Sequence, residues 1–453
     1  MSVSAQAPSG MSSQTMSLPM IIAASSVGTL IEWYDFYLYG SLAVFFSTLF
    51  FPTGDPTVSL LVSLATFATG FAVRPFGAIL FGRLGDLVGR KFTFLLTLIL
   101  MGSATFLVGC LPSYAKIGML APILLVALRL IQGLALGGEY GGAATYIAEH
   151  APDGKRGLYT SWIQTTATMG IVMSLLVIMA FRLNMTDADF RSFGWRYPFL
   201  LSAVLVALSV WIRLRLQESP LYAKLKDQGK ASTAPLTDSF TSKRNWALII
   251  IALLGATAPE GVVWYTGQYY SLFFMITVLK INYVTVYWII TVALCLGAPL
   301  FIFMGWLSDR IGRRNIMTAG FLLAVVTYVP VFKIMHANAG SPVVLTACVF
   351  YMVVLVTMVY GPIAAFLVEL FPARIRYTSL SLPYHIGNGV FGGFVPLVST
   401  SLVAATGNIY MGLAYPIAIA AIGVVVSLIW MREPTHKIKI WDEVGGPIDV
   451  DQP

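Results

Sequence analysis

Long, uninterrupted apolar runs, such as Phe92 to Leu111 and Ile422 to Met431, constrain this chain more than any other feature. A spanning helix needs roughly 20 apolar residues, and about a dozen such runs follow one another with only short connections. Inside lipid only helices and closed barrels satisfy their backbones, and barrel strands of about 10 residues alternate apolar with polar side chains. These runs do not alternate, so an all-α polytopic membrane protein is expected. Only 11% of the 453 residues are charged, against about 25% in a soluble domain, which excludes an ordinary soluble enzyme.

Spans are expected near 20–50, 57–81, 92–111, 120–149, 157–182 and 196–216, then near 245–276, 283–306, 315–336, 342–370, 377–403 and 408–431. This divides the chain into a disordered tail (1–19), a six-helix bundle (20–216), a polar linker (217–244), a second six-helix bundle (245–431) and a second tail (432–453). No Lys or Arg precedes the first apolar run; a secretory signal needs a basic start, so the first span is read as a retained membrane helix. With both termini cytoplasmic, about 20 Lys and Arg fall inside, while Lys116, Arg182, Arg191, Arg196, Lys280 and Lys333 fall outside. That asymmetry sets the orientation and accounts for the net charge of +8 without a nucleic-acid partner. Cys110, Cys295 and Cys348 lie in apolar runs with no paired spacing and read as small hydrophobes. No metal motif, Gly-x-Ser-x-Gly elbow or phosphate loop is present, so neither an enzyme nor a metal site is expected.

The chain is internally duplicated. Gly82-Arg-Leu-Gly-Asp86-Leu-Val-Gly89-Arg90-Lys91 follows the second span, and Gly305-Trp-Leu-Ser-Asp309-Arg-Ile-Gly312-Arg313-Arg314 follows the eighth. Glu149, Pro152 and Arg156 after the fourth span match Glu369, Pro372 and Arg376 after the tenth in spacing. Two pseudo-symmetric six-helix halves related by an axis along the membrane normal are one architecture of secondary transporters.

The paired Gly-x-x-x-Asp-x-x-Gly-Arg-basic segments resemble the signature of the major facilitator superfamily. Glu32-Trp-Tyr-Asp35-Phe-Tyr-Leu-Tyr-Gly40, the stretch Arg129 to Gly142, Gly194-Trp-Arg-Tyr-Pro-Phe199 and Glu218-Ser-Pro220 are similar to the metabolite:proton symporter family, which includes α-ketoglutarate, shikimate, citrate and proline/betaine transporters. The resemblance implies the twelve-helix major facilitator fold in a bacterial inner membrane. It also implies import of a small metabolite by alternating access, driven by a proton gradient without any cofactor, by a chain that functions as a monomer. A small organic acid is the expected substrate. A betaine-like zwitterion symporter and a proton-coupled drug antiporter are the alternatives.

Charges at bilayer depth cost roughly 2.5 to 3.5 kcal/mol each, so the mid-span Glu32, Asp35, Arg74, Arg129, Glu139 and Glu260 need a role. Glu32 and Asp35 share a helix face, and close carboxylates away from water compete for a proton. Asp35 is the first candidate for proton coupling, with Glu32 and Glu139 beside it; hydrogen-bonded structural carboxylates are the alternative. On the fourth helix Arg129 and Gln132 can face a central cavity, Arg129 holding a carboxylate by two hydrogen bonds or pairing with Glu139 or Asp35. Arg74 is expected to pair with a carboxylate of the first or fourth helix rather than to touch substrate, although it too is a candidate binding residue. Glu260, between Pro259 and Gly261, is placed where the seventh helix could be interrupted. With Tyr265, Gln268 and Tyr269 it forms a candidate substrate surface or an aromatic packing stripe. Tyr384, His385 and Asn388 form a polar cluster on the eleventh helix, where an imidazole can titrate near neutrality or serve as a structural donor. Asp86, Arg90 and Glu149, and in the second half Asp309, Arg313 and Glu369, are expected to form cytoplasmic gate networks.

Overall fold

The computed structural model describes residues 18–88, 90–138, 140–214, 242–372, 376–431 and 437, and helix is the only regular structure among them. Nine of these helices are long and apolar enough to cross a bilayer. The bent pair Asp187–Gly194 and Arg196–Trp211 makes a tenth, and Leu95–Cys110 is a shorter apolar helix. With residues 18–50 they give the twelve expected spans. These are α1 (18–50), α2 (56–88), α3 (Arg90–Cys110), α4 (Leu120–His150), α5 (Arg156–Leu183) and α6 (Arg196–Arg213), followed by α7 (Lys243–Val278), α8 (Tyr283–Ile311), α9 (Arg313–Ala337), α10 (Pro342–Leu370), α11 (376–406) and α12 (Met411–Trp430). Residues 1–17, most of the 217–244 linker, nearly all of the C-terminal tail and Glu139 lie outside the described residues.

Two local expectations change. The duplicated signatures are not loops: α2 runs helically through Asp86 to Val88, and α8 runs through Asp309 to Ile311. Gly312 alone separates α8 from α9, with φ of 100°, a conformation that a side chain would strain. The seventh helix is also not interrupted at Pro259. A π-helical turn at Leu253–Thr257 precedes the α-helical Ala258–Tyr265, which carries Pro259 in its first turn. The wider turn moves away the carbonyl with which the proline ring would clash.

The helices pack through their glycines. A Cβ on Gly133 would run into the Gly70 carbonyl, one on Gly77 into Leu134, and one on Gly137 into the Arg74 carbonyl, so α2 and α4 nearly touch backbone to backbone. This is the bare helix side that small residues give to membrane packing. In the second half Gly261, Gly387 and Gly392 bring α7 and α11 equally close. The two halves meet chiefly where α5 packs on α8, α2 on α11, and α4 on α10 and α11. Ile22 of α1 clusters with Ala143 and Ile147 of α4 and Ile163 of α5, so α1 begins at the face where α4 ends. Since α10 ends there too, this is the Glu369 face.

Overpacking a core costs about 1–3 kcal/mol, so Gly133→Leu is expected to lower the thermal midpoint of the purified protein by several degrees. Temperature-ramped size-exclusion chromatography checks this; an unchanged midpoint contradicts the close approach of α2 and α4.

Candidate functional site

At the Glu369 face the repeated charges join the two halves. Arg313 is fully buried and forms ion pairs with Asp309 at 2.7 Å and Glu369 at 3.0 Å. The Asp309 carboxylate crosses to the first half, accepting hydrogen bonds from the backbone N–H groups of Gly157 (2.8 Å) and Leu158 (2.9 Å). These donors open α5, where unpaired N–H groups and the helix dipole favour an anion. Arg156 lies 3.7 Å from Glu369 and also contacts Asp153, while Arg376 lies 3.7 Å from Glu149. The matched Glu and Arg of the duplication therefore pair crosswise, each glutamate with the arginine of the other half. Asp309, Arg313 and Glu369 come together as expected. Glu149 meets Arg376, and the side chains of Asp86 and Arg90 lie outside the described residues.

One layer deeper, Tyr140 of α4 and Tyr384 of α11 stack across the halves, with ring centroids 3.4 Å apart and planes 3° from parallel. Above them a water-sized cavity is lined by Thr29, Trp33, Arg74, Tyr140, Tyr384 and His385, among others. Above that the centre is filled with aromatic rings. Tyr37 stacks on Trp264 at 5.5 Å, Phe71 meets Tyr265 edge-on at 5.2 Å, and Phe67 approaches Tyr269 at 5.6 Å. Each of these pairs bridges the halves, so the expected open central cavity is closed.

The buried charges sit around this aromatic plug. Arg129 donates to the side-chain oxygen of Gln132 (2.7 Å) and to the Phe36 carbonyl (3.3 Å), and stands over the rings of Phe36, Tyr39 and Phe67. Gln132 in turn donates to Thr105 at 2.8 Å. Arg129 makes no ion pair among the described residues. Arg74 likewise has no carboxylate partner there, contrary to the expected pairing, and stands over Trp33, Phe36 and Phe71 instead. The reason is local: these three rings surround the guanidinium, and aromatic faces attract cations. Nε and one terminal nitrogen of each arginine have no hydrogen-bond partner, nor do the two Asp35 oxygens, Trp264 Nε1, the Tyr265 hydroxyl or the Gln268 amide. Glu32 and Asp35 are both buried. In the second half Glu260 is fully buried and accepts from Asn388 Nδ2 at 2.9 and 3.1 Å. His385 lies beside the Gly137 backbone without a regular hydrogen bond.

The opposite face is also shut. Arg182 at the end of α5 donates to the Tyr283 hydroxyl on α8 and to Asp187, Tyr269 reaches the Tyr37 carbonyl, and Tyr287 reaches the Ser41 carbonyl. Of the plug rings the sequence singles out Tyr265 and Tyr269; the first-half rings, the pairing of Tyr140 with Tyr384, and the place of Arg156 and Arg376 emerge only from the structure. The duplicated spacing carried the signal for the two arginines, and the helical spacing of Trp33, Phe36 and Tyr37 and of Phe67 and Phe71 carried it for the plug.

A membrane-embedded chain of two matched helical halves, closed at both faces over a polar centre, is a secondary transporter and not an enzyme. The chain belongs to the Major Facilitator Superfamily, whose family model matches residues 10–382. It is 36% identical over 396 residues to the alpha-ketoglutarate permease of Escherichia coli (strain K12), covering 86% of this chain and 89% of that one. It is 32% identical over 425 residues to a glycine betaine/proline/ectoine/pipecolic acid transporter of Dickeya dadantii, covering 92% and 83%. A proton:xylose symporter solved with 6-bromo-6-deoxy-D-glucose shares the fold, with a TM-score of 0.74 at 18% identity over 92% of this chain and 96% of that one.

Removing one partner of a buried ion pair costs about 3–5 kcal/mol, so Glu369→Gln is expected to loosen the Glu369 face. A cysteine at Ser161, which packs against Gly305, should then react several-fold faster with a thiol reagent applied from that face. An unchanged rate contradicts a closing role for these charges.

Proposed function

We propose that this chain is a proton-coupled symporter that imports a small organic acid across a bacterial inner membrane by alternating access. The observation that carries the proposal is the set of unpartnered, buried polar atoms at the closed centre, above all those of Arg74, Arg129 and Asp35. Leaving such groups without partners is costly, and a bound anion would supply acceptors to the arginines. In this reading Arg129, oriented by Gln132, grips a carboxylate. Tyr265, Gln268 and Tyr269 close on the substrate from the second half, where Glu260 and Asn388 fix α7 against α11. Asp35 carries the proton, with Glu32 and Glu139 as the further coupling candidates.

The Glu369 face is the cytoplasmic gate, in keeping with the excess of Lys and Arg on that side, and both termini are cytoplasmic. The driving force is the proton gradient, with no cofactor, and one chain is the working unit. The similarity to an alpha-ketoglutarate permease supports an organic acid; the similarity to a betaine and proline transporter keeps a zwitterion as the contrary outcome.

In proteoliposomes Asp35→Asn is expected to abolish accumulation driven by an imposed pH gradient while leaving substrate exchange intact; retained accumulation removes Asp35 from the coupling role. Arg129→Lys keeps the charge but loses the planar fork, so KM for a transported carboxylate is expected to rise about tenfold, the equivalent of roughly 1.4 kcal/mol. An unchanged KM contradicts two-point recognition by Arg129.

A further inference from the structure

We propose that Arg74 and His385 form a second anion station on the Glu369 side of the aromatic plug, separate from the station at Arg129, with the Tyr140–Tyr384 stack as its floor. The station rests on the organic-acid reading above and gives it a path: the carboxylate leaves Arg129, passes Phe36 and is held by Arg74 and His385 before release.

The two arginines have separate cages. Arg129 stands over Tyr39 and Phe67, Arg74 over Trp33 and Phe71, and only Phe36 is common to both, at 4.2 Å from the Arg129 guanidinium carbon and 4.4 Å from that of Arg74. No more than the sum of those two distances separates the guanidinium carbons, so an anion can move from one to the other without leaving the reach of a cation. Only Arg74 borders the water-sized cavity, and it does so together with His385 from the other half. Both side chains are at least 99% buried, with unpartnered nitrogens. An imidazole carries at least one N–H, and a guanidinium presents its N–H groups along its edge. An arginine edge and a histidine N–H facing one cavity can hold the two oxygens of a carboxylate. Neither carries a negative charge to answer the cationic end of a zwitterion.

In the closed state this cavity is too small for a carboxylate, and the floor is built to part. Aromatic pairs favour offset or edge-on geometry over a face-to-face sandwich, and Tyr140 and Tyr384 lie nearly parallel at 3.4 Å. Each hydroxyl has a partner within its own half, Tyr140 accepting from Gln164 Nε2 at 2.7 Å and Tyr384 pairing with the Tyr360 hydroxyl at 3.0 Å. Separating the halves here leaves neither hydroxyl without its partner and widens the cavity toward the Glu369 face.

The test needs no knowledge of the substrate. In full-length protein with Cys110, Cys295 and Cys348 replaced by alanine, Thr29→Cys places one thiol on the cavity wall. Methanethiosulfonates of similar size, one bearing a sulfonate and one a trimethylammonium, are applied from the Glu369 face of sealed vesicles, with rates normalised to a free thiol. The sulfonate is expected to react several-fold faster. That preference should vanish in Arg74→Gln, weaken in His385→Gln, survive in part in Arg74→Lys and persist in Arg129→Gln.

Equal rates for the two reagents overturn the station, as does an equal loss of preference in Arg129→Gln, which would make the two arginines one site. Arg74→Lys keeps a cation and guards against a loss caused by misfolding. A sulfonate preference in a protein that takes up no organic acid refutes the substrate reading and leaves the station; organic-acid uptake without the preference does the reverse.

Discussion

Arg74 and Arg129 carry guanidinium groups into the middle of the fold with no carboxylate partner among the described residues, and much else in the structure follows from keeping them there. Three aromatic rings stand around each guanidinium, and cation–π contact when desolvated gives about 2 kcal/mol or more. The rings over them come from the first half, and Phe67, Phe71 and Tyr37 of that layer meet Tyr269, Tyr265 and Trp264 of the second. To bring α2 and α4 close enough for Phe36 to serve both arginines, the sequence spends glycines at Gly70, Gly77, Gly133 and Gly137. What the rings cannot provide is hydrogen-bond acceptors, and the shortfall shows in the unpartnered nitrogens of both arginines.

The duplication is retained at the rim and lost at the centre. At the Glu369 face, Glu149 and Glu369 exchange partners with Arg376 and Arg156 at the same 3.7 Å separation, so one sequence element copied twice makes two matching clasps. In the register that aligns Asp86 with Asp309, Arg74 corresponds to Gly297; in the register that aligns Glu149 with Glu369, Arg129 corresponds to Val349. The cations of the centre belong to the first half alone, and the second half answers them with Trp264, Tyr265 and Gln268. The rim contacts are thus nearly symmetric, whereas the two walls of the centre are unlike.

Span positions were legible because lipid leaves the chain so few options: the described part of every expected span is helical, with ends within a few residues except where α2 and α8 run on through the duplicated signatures. The meeting of Asp309, Arg313 and Glu369 was legible, since an acidic residue repeated beside basic ones has little to do with orientation. The crosswise pairing was not, because Glu149 and Arg376 are distant in sequence and meet only through the packing of one half on the other. Arg74 was read as the partner of a carboxylate because sequence spacing exposes charges and conceals which rings surround them. Pro259 was read as a break because proline costs a regular α-helix a hydrogen bond, and nothing in the local sequence announces the π turn that absorbs it. The Tyr140–Tyr384 stack is likewise a product of tertiary closure rather than of any local pattern.

Coupling is the claim that joins the unpartnered arginines to the buried carboxylates of α1, and it is tested by following protons and substrate together. Purified protein in proteoliposomes, voltage-clamped with potassium and valinomycin, is given an inward gradient of a transported carboxylate while an external dye reports pH. Symport predicts that the medium turns alkaline in step with carboxylate uptake. Uptake of the carboxylate with no change in external pH, or with acidification, would contradict it.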